Sequence, residues 1–136
     1  YKESPRDKPG VVTGKGEDIF GIWLASAGKD LGAPIPSQIA DKLRGKEFSN
    51  FDAFRKAFWI EVSKDSVLMA QFNRTNQKKI SSGKSPIAPK VEHYGKMIRY
   101  EIHHQHEISK GGGVFHVDNL AVVTPKHHKR IHFGKN

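Results

Sequence analysis

Residues 101–132 read EIHHQHEISKGGGVFHVDNLAVVTPKHHKRIH, and the fold class turns on them. Ile98-Arg99-Tyr100-Glu101-Ile102-His103 alternates as a strand does. Gly111-Gly112-Gly113 marks a loop. Leu120-Ala121-Val122-Val123 is a short buried strand. Thr124-Pro125 then opens a helix, with Thr as cap and Pro at the first helical position. That helix carries Lys126 to His132 and stops at Gly134. Strand, loop, strand and helix together hold seven of the eight histidines, all between positions 103 and 132. A random scatter would not concentrate them so.

His128 and His132 lie four apart on the helix, so their rings share one face, one turn apart. His103 supplies a third imidazole from the preceding strand. Three imidazoles suit zinc and other late first-row divalent ions and leave a fourth position open, which points to catalysis. A structural site would need a fourth ligand, and His116, His106 or His127 could supply it. His104 adjoins His103, and neighbours on a regular strand face opposite ways. Both enter one site only if the strand ends or bulges there. Granted that, His104 takes a proton from water; otherwise it is a surface group on the strand's back face. Glu101 shares the face of His103, where it binds the metal or holds an arginine. Arg99 falls on the same face again, to contact a phosphate oxygen or to pair with Glu101.

Working outward, residues 1–18 read as an irregular basic arm. Lys2, Arg6, Lys8 and Lys15 sit among Pro5, Pro9, Gly10, Gly14 and Gly16. From Asp18 the spacing of Ile19, Ile22, Trp23 and Ala27 predicts a helix stopped by Gly28. Ser37–Leu43 reads as a short helix ending before Gly45. Phe51, Phe54, Phe58, Ile60 and Val62, with Trp59, form the strongest periodic segment, capped by Asn50 or Ser49. These aromatics are core, since their spacing is too helical for a base-stacking row. Val67, Leu68 and Phe72 continue on another short helix after Asp65-Ser66. Residues 73–99 change character: seven basic residues face only Glu92, a net +6. Ser81-Ser82-Gly83 and Ser85-Pro86-Ile87-Ala88-Pro89 make this stretch largely loop. It is either a plain solvated surface or a docking surface for DNA phosphates or a protein, with Ile87 as an exposed apolar anchor between prolines.

The bulk numbers agree with a small binding or catalytic domain. At 136 residues the chain is one α+β domain, mostly helical, with its metal motif at residues 99–133. The formal net charge of +9 favours a polyanionic partner. With no cysteine there are no disulfides and no Cys-ligated zinc. No apolar run approaches the roughly 18 residues of a membrane span. No signal peptide opens the chain, and it begins at Tyr1, as part of a larger protein would.

Glu-x-His-His, a Gly-rich loop, Asp-Asn and His-x-x-x-His resemble the HNH motif of the ββα-metal nucleases. The likeness extends along the chain through Gly10, Gly14-Lys15-Gly16, Trp23-Leu24 and Ala27-Gly28-Lys29-Asp30-Leu31-Gly32. It continues through Lys46-Glu47-Phe48, Phe51-Asp52, Phe54-Arg55, Phe58-Trp59 and Val122-Val123-Thr124-Pro125-Lys126. In full, the chain resembles the cytotoxic DNase domain of nuclease bacteriocins, the E-group colicins and S-type pyocins. That resemblance implies a non-specific, metal-dependent endonuclease at the end of a secreted toxin. It would be imported into a competing bacterium and act on double-stranded DNA in the cytoplasm, leaving 5′-phosphate and 3′-hydroxyl ends. A small acidic immunity protein would protect the producer, so the domain is a monomer or a heterodimer with that protein.

By position, His103, His128 and His132 match the family's metal ligands and His104 its general base. Glu101 matches the carboxylate beside the metal, and Arg6 an N-terminal arginine that reaches the phosphate. Asn119 matches the motif's Asn, which ties the loop together. The immunity-protein surface maps to residues 74–96, with Arg74, Lys78, Lys84, Ile87, Lys90 and Lys96. One departure stands out: the colicins' strand arginine lies four residues before the Glu, where this chain has Met97, and Arg99 sits two before it. Zinc is the expected ion by ligand type, with magnesium, nickel or manganese as alternatives for activity. Two rivals are a zinc-stabilised nucleic-acid-binding module without catalysis, and an HNH nuclease of mobile-element or restriction biology.

Overall fold

The computed structural model of the chain describes residues 7–29, 32–105 and 114–133, the last two as helix backbone only. The element order is β1 (Gly10–Val11), a 3-10 turn (Trp23–Ser26), β2 (Ala33–Pro34), α1 (Ser37–Leu43), β3 (Glu47–Phe48), α2 (Phe51–Ser63), α3 (Ser66–Met69) and α4 (Arg74–Ser81). A second 3-10 turn (Lys90–Glu92), β4 (Glu101–His104), a third 3-10 turn (Val117–Asn119), β5 (Leu120–Val123) and α5 (Pro125–Phe133) follow. β1 pairs with β3, and a three-stranded antiparallel sheet runs β2-β5-β4. No helix among the described residues is long and apolar enough to cross a membrane.

The core is built on α2. Phe51, Phe54, Phe58, Trp59 and Val62 are all buried, as their spacing requires. Phe54 stacks on Phe58 with ring centroids 6.3 Å apart, and Trp59 stands edge-on to Phe58 at 4.9 Å. Trp23 closes the cluster against Trp59 at 5.9 Å. The helix begins where Asn50 Oδ1 accepts from Ala53 N at 2.8 Å, satisfying a donor that the helix itself cannot. Asn50→Ala should therefore lower unfolding free energy by about 1 kcal/mol, measured by urea denaturation. An unchanged midpoint would mean that the cap contributes nothing.

Four expectations need correction. The helix expected from Asp18 shrinks to the turn Trp23–Ser26. Gly21 takes φ 79°, and the Gln71 side chain satisfies this backbone instead, accepting from Trp23 N at 2.8 Å and donating to Gly21 O at 3.0 Å. Phe20 and Ile22 are left exposed. The irregular basic arm expected over residues 1–18 does not hold from β1 on. From Gly10 onward it is stitched to β3, and Val12 is buried.

The stretch 73–99 is not largely loop at its start. Asn73 Oδ1 caps α4 by accepting from Asn76 N at 2.8 Å, and Ile80 anchors the helix in the core. Finally, the strand expected from Ile98 begins at Glu101 and runs through His104. β5 offers only four partners, and the backbone at Ile98 and Tyr100 instead bonds to Ala88 and Pro86.

Candidate active site

β4 and α5 bring the site together. β4 pairs with β5 in unbroken register, Glu101 opposite Val123 through His104 opposite Leu120. Alternation along β4 therefore sends Glu101 and His103 to one face and His104 to the other. α5 starts where Thr124 Oγ1 accepts from His127 N at 3.1 Å and Thr124 O accepts from His128 N at 2.8 Å. Its first turn carries His128 to the Glu101–His103 face. The His103 and His128 rings lie 5.3 Å apart, nearly edge to face.

Glu101 Oε2 lies 3.1 Å from His128 Nδ1, and both side chains are half-buried. A carboxylate only accepts, so Nδ1 carries the proton and the lone pair of His128 is on Nε2. Glu101 thus holds a histidine rather than an arginine. Among the described residues Arg99 makes no salt bridge, and its backbone forms an isolated bridge with Ile87. His132 follows one turn on along α5, with its side chain outside the described residues. Arg6 also lies outside them. No group of three or more His, Asp or Glu among the described residues is set to hold an ion; of the three expected ligands, two have described side chains.

His104 stands against the core. Its ring centroid is 4.8 Å from that of Phe51, and Nε2 lies 3.1 Å from Val114 O. A carbonyl only accepts, so the proton is on Nε2 and the lone pair on Nδ1. No bulge separates the two neighbours: the register stays regular through His104, and β4 ends there. Asn119 is buried at the end of its 3-10 turn, and its carbonyl accepts from Gln105 N at 2.8 Å, closing β4 onto the loop.

The other histidines with described side chains are engaged elsewhere. His116 Nδ1 is 3.0 Å from Thr13 Oγ1, and buried His127 has Nδ1 3.3 Å from Arg130 Nη1. His106 lies outside the described residues. Asp118, beside His116, accepts from Gly16 N at 2.8 Å and so fastens the β1 segment to the loop. The acceptor role of Asp118 carries no signal in the sequence.

On the basic surface Arg74, Lys78, Lys84, Lys90 and Lys96 are exposed. Ile87 is half-buried instead of exposed, because Asn76 grips its peptide from both sides at 2.9 and 3.2 Å. It lines a cleft of about 550 Å³ with Ile22, Leu24, Phe72 and Tyr100.

A strand pair backed by a helix, with histidines offered from both, is the framework of a ββα-metal nuclease. The family model described as "Colicin/Pyocin-S2, DNase domain" matches residues 10–134. The chain belongs to the colicin/pyocin DNase family. It is 53% identical over 134 residues to Colicin-E7 of Escherichia coli, covering 98% of this chain and 23% of that protein. It is 50% identical over 130 residues to Pyocin-S2 of Pseudomonas aeruginosa, covering 96% of this chain and 19% of that protein. The chain thus spans about a quarter or less of these two curated relatives. Among solved structures, the pyocin AP41 DNase–immunity complex matches at TM-score 0.89 and 46% identity, covering 92% of this chain and 98% of that one. The mutant nuclease domain of pyocin S8 with its cognate immunity protein matches at TM-score 0.88 and 50% identity, covering 91% and 99%.

Proposed function

We propose that this chain is the cytotoxic end of a larger secreted bacteriocin. It is an HNH endonuclease that uses one divalent cation to cut double-stranded DNA in the cytoplasm of a target bacterium, largely without sequence preference. The observation that carries this reading is the pairing of His103 with His128, with Glu101 holding the second ring's proton on Nδ1. Such a carboxylate–histidine pair orients a metal ligand and raises its basicity.

The donor set fits a late first-row ion. Imidazole nitrogens suit zinc, whereas magnesium prefers oxygen ligands. His103, His128 and His132 would hold the ion. When bound, it supplies Lewis-acid stabilisation of charge at the scissile phosphate.

The remaining steps belong to the chain's own side chains. With the His104 Nε2 proton committed to Val114 O, Nδ1 is the nitrogen that takes the proton from the attacking water. His103 and His104 leave opposite faces of β4, so the scissile phosphate lies at the end of that strand, bordered by both. Arg99 and Arg6 are assigned to phosphate oxygens. Asn119 acts through the loop and is a positioning residue. The single domain spans residues 1–136, with the HNH motif at 99–133.

The second partner is a small acidic immunity protein docking on residues 74–96, where Arg74, Lys78, Lys84, Lys90 and Lys96 surround Ile87. The two pyocin relatives solved with immunity proteins support a partner of this kind, and charge complementarity supports this surface for it.

A supercoiled-plasmid assay tests the reading. The chain should nick plasmid with added zinc or magnesium and stop on chelation. Binding should weaken by about 10³–10⁵-fold between about 50 and 200 mM salt if six to ten phosphates are contacted. DNA binding without nicking under every metal tried would convert the reading to a non-catalytic module.

A further inference from the structure

The start of the helix that carries His128 is held by a carboxylate from outside the motif. Thr124 Oγ1 both accepts from His127 N at 3.1 Å and donates to Glu92 Oε1 at 2.8 Å. With its proton committed to Glu92, the hydroxyl keeps a lone pair turned to the first-turn amide. Glu92 comes from the 3-10 turn Lys90–Glu92, within the basic docking stretch. It is packed tightly from behind, since a Cβ on Gly28 would sit 2.6 Å from Glu92 Oε1. Thr124 N donates to Ala27 O at 3.1 Å, so the same corner is fixed on its backbone side. One turn along α5, Lys129 Nζ stands 5.4 Å over the Tyr94 ring, a second brace from the same segment. Burial, and after it the charge of Glu92, push the Tyr100 phenol upward from its ordinary value, which agrees with a carboxylate seated in this corner.

We propose that Glu92 is a positioning residue for the nuclease reaction: through Thr124 it sets the first turn of α5 and the approach of the His128 ring. Metal affinity and cutting then depend on a side chain that lies off the His103–His128 face. This rests on His128 being a metal ligand.

The test compares the full 136-residue chain with Glu92→Ala and Glu92→Gln. Zinc titration calorimetry, amide exchange at His127 in the metal-free protein and plasmid nicking are read on each. Glu92→Ala should weaken zinc binding by about five- to tenfold, at or below the lower end of the range for groups behind a ligand. It should also speed His127 exchange and lower kcat with KM held. Glu92→Gln keeps an oxygen that accepts the Thr124 proton and should restore all three to within about twofold. Zinc affinity and exchange in Glu92→Ala equal to the parent's would overturn the proposal, and so would a Glu92→Gln protein as impaired as Glu92→Ala. If the parent itself takes up no zinc, the ligand reading of His128 fails, a result distinct from either.

Discussion

His104→Ala should cut plasmid nicking by about 10²–10⁴-fold, the range general-base catalysis supplies, while zinc affinity stays within about threefold of the parent. The two effects separate because His104 lies on the opposite face of β4 from His103. Its ring meets Phe51, and its Nε2 proton goes to Val114 O. Removing it takes away the nitrogen assigned to the water proton and leaves the His103–His128 face intact. The substitution also strips a half-buried ring from Phe51, so stability should fall by about 1–2 kcal/mol, an ordinary cost for a lost contact. Nicking is therefore assayed well below the melting temperature, with zinc titration on the same sample. Full nicking by a folded His104→Ala protein would remove His104 from the reaction.

His128→Ala should weaken zinc binding by at least about 100-fold, beyond the 10–100-fold typical of groups one shell further out, and abolish nicking with it. It removes one imidazole and leaves the Glu101 carboxylate without its ring partner. His103→Ala should do the same, and the double variant should lose little more, because residues that act as a unit are not additive. His116→Ala is the control: that ring is engaged with Thr13 across the loop, so zinc affinity should hold within about twofold. Calorimetry with zinc reads all four. Tight zinc binding by His128→Ala, or its loss in His116→Ala, would redraw the ligand set.

Where signals are local, the sequence was readable. α2 carries its aromatic period and an Asn50 cap in adjacent residues, and α5 announces itself by Thr124-Pro125. Strand alternation and helical spacing mark His103 and His128 separately as candidates, while their meeting depends on α5 packing against β4. What was not readable depends on distant partners. Ile19, Ile22, Trp23 and Ala27 have helical spacing, yet the Gln71 side chain, 48 residues from Trp23, takes over that backbone. α4 hid behind its charges, because one buried Ile80 and an Asn73 cap suffice once α2 lies alongside. β2 is two residues long and half proline, so only β5 defines it. The side to which His104 turns depends on the register that pairs it with Leu120. Glu92 had no signal at all, since its role is a hydrogen bond to a residue 32 positions away.

Zinc K-edge absorption of the loaded protein, alone and with a short DNA duplex, bears most directly on the site. The expected first shell is three imidazole nitrogens at about 2.0–2.1 Å, with one position not filled by protein and a phosphorus scatterer gained when DNA is added. Four protein ligands, or a shell that DNA leaves unaltered, would contradict a catalytic centre at His103, His128 and His132.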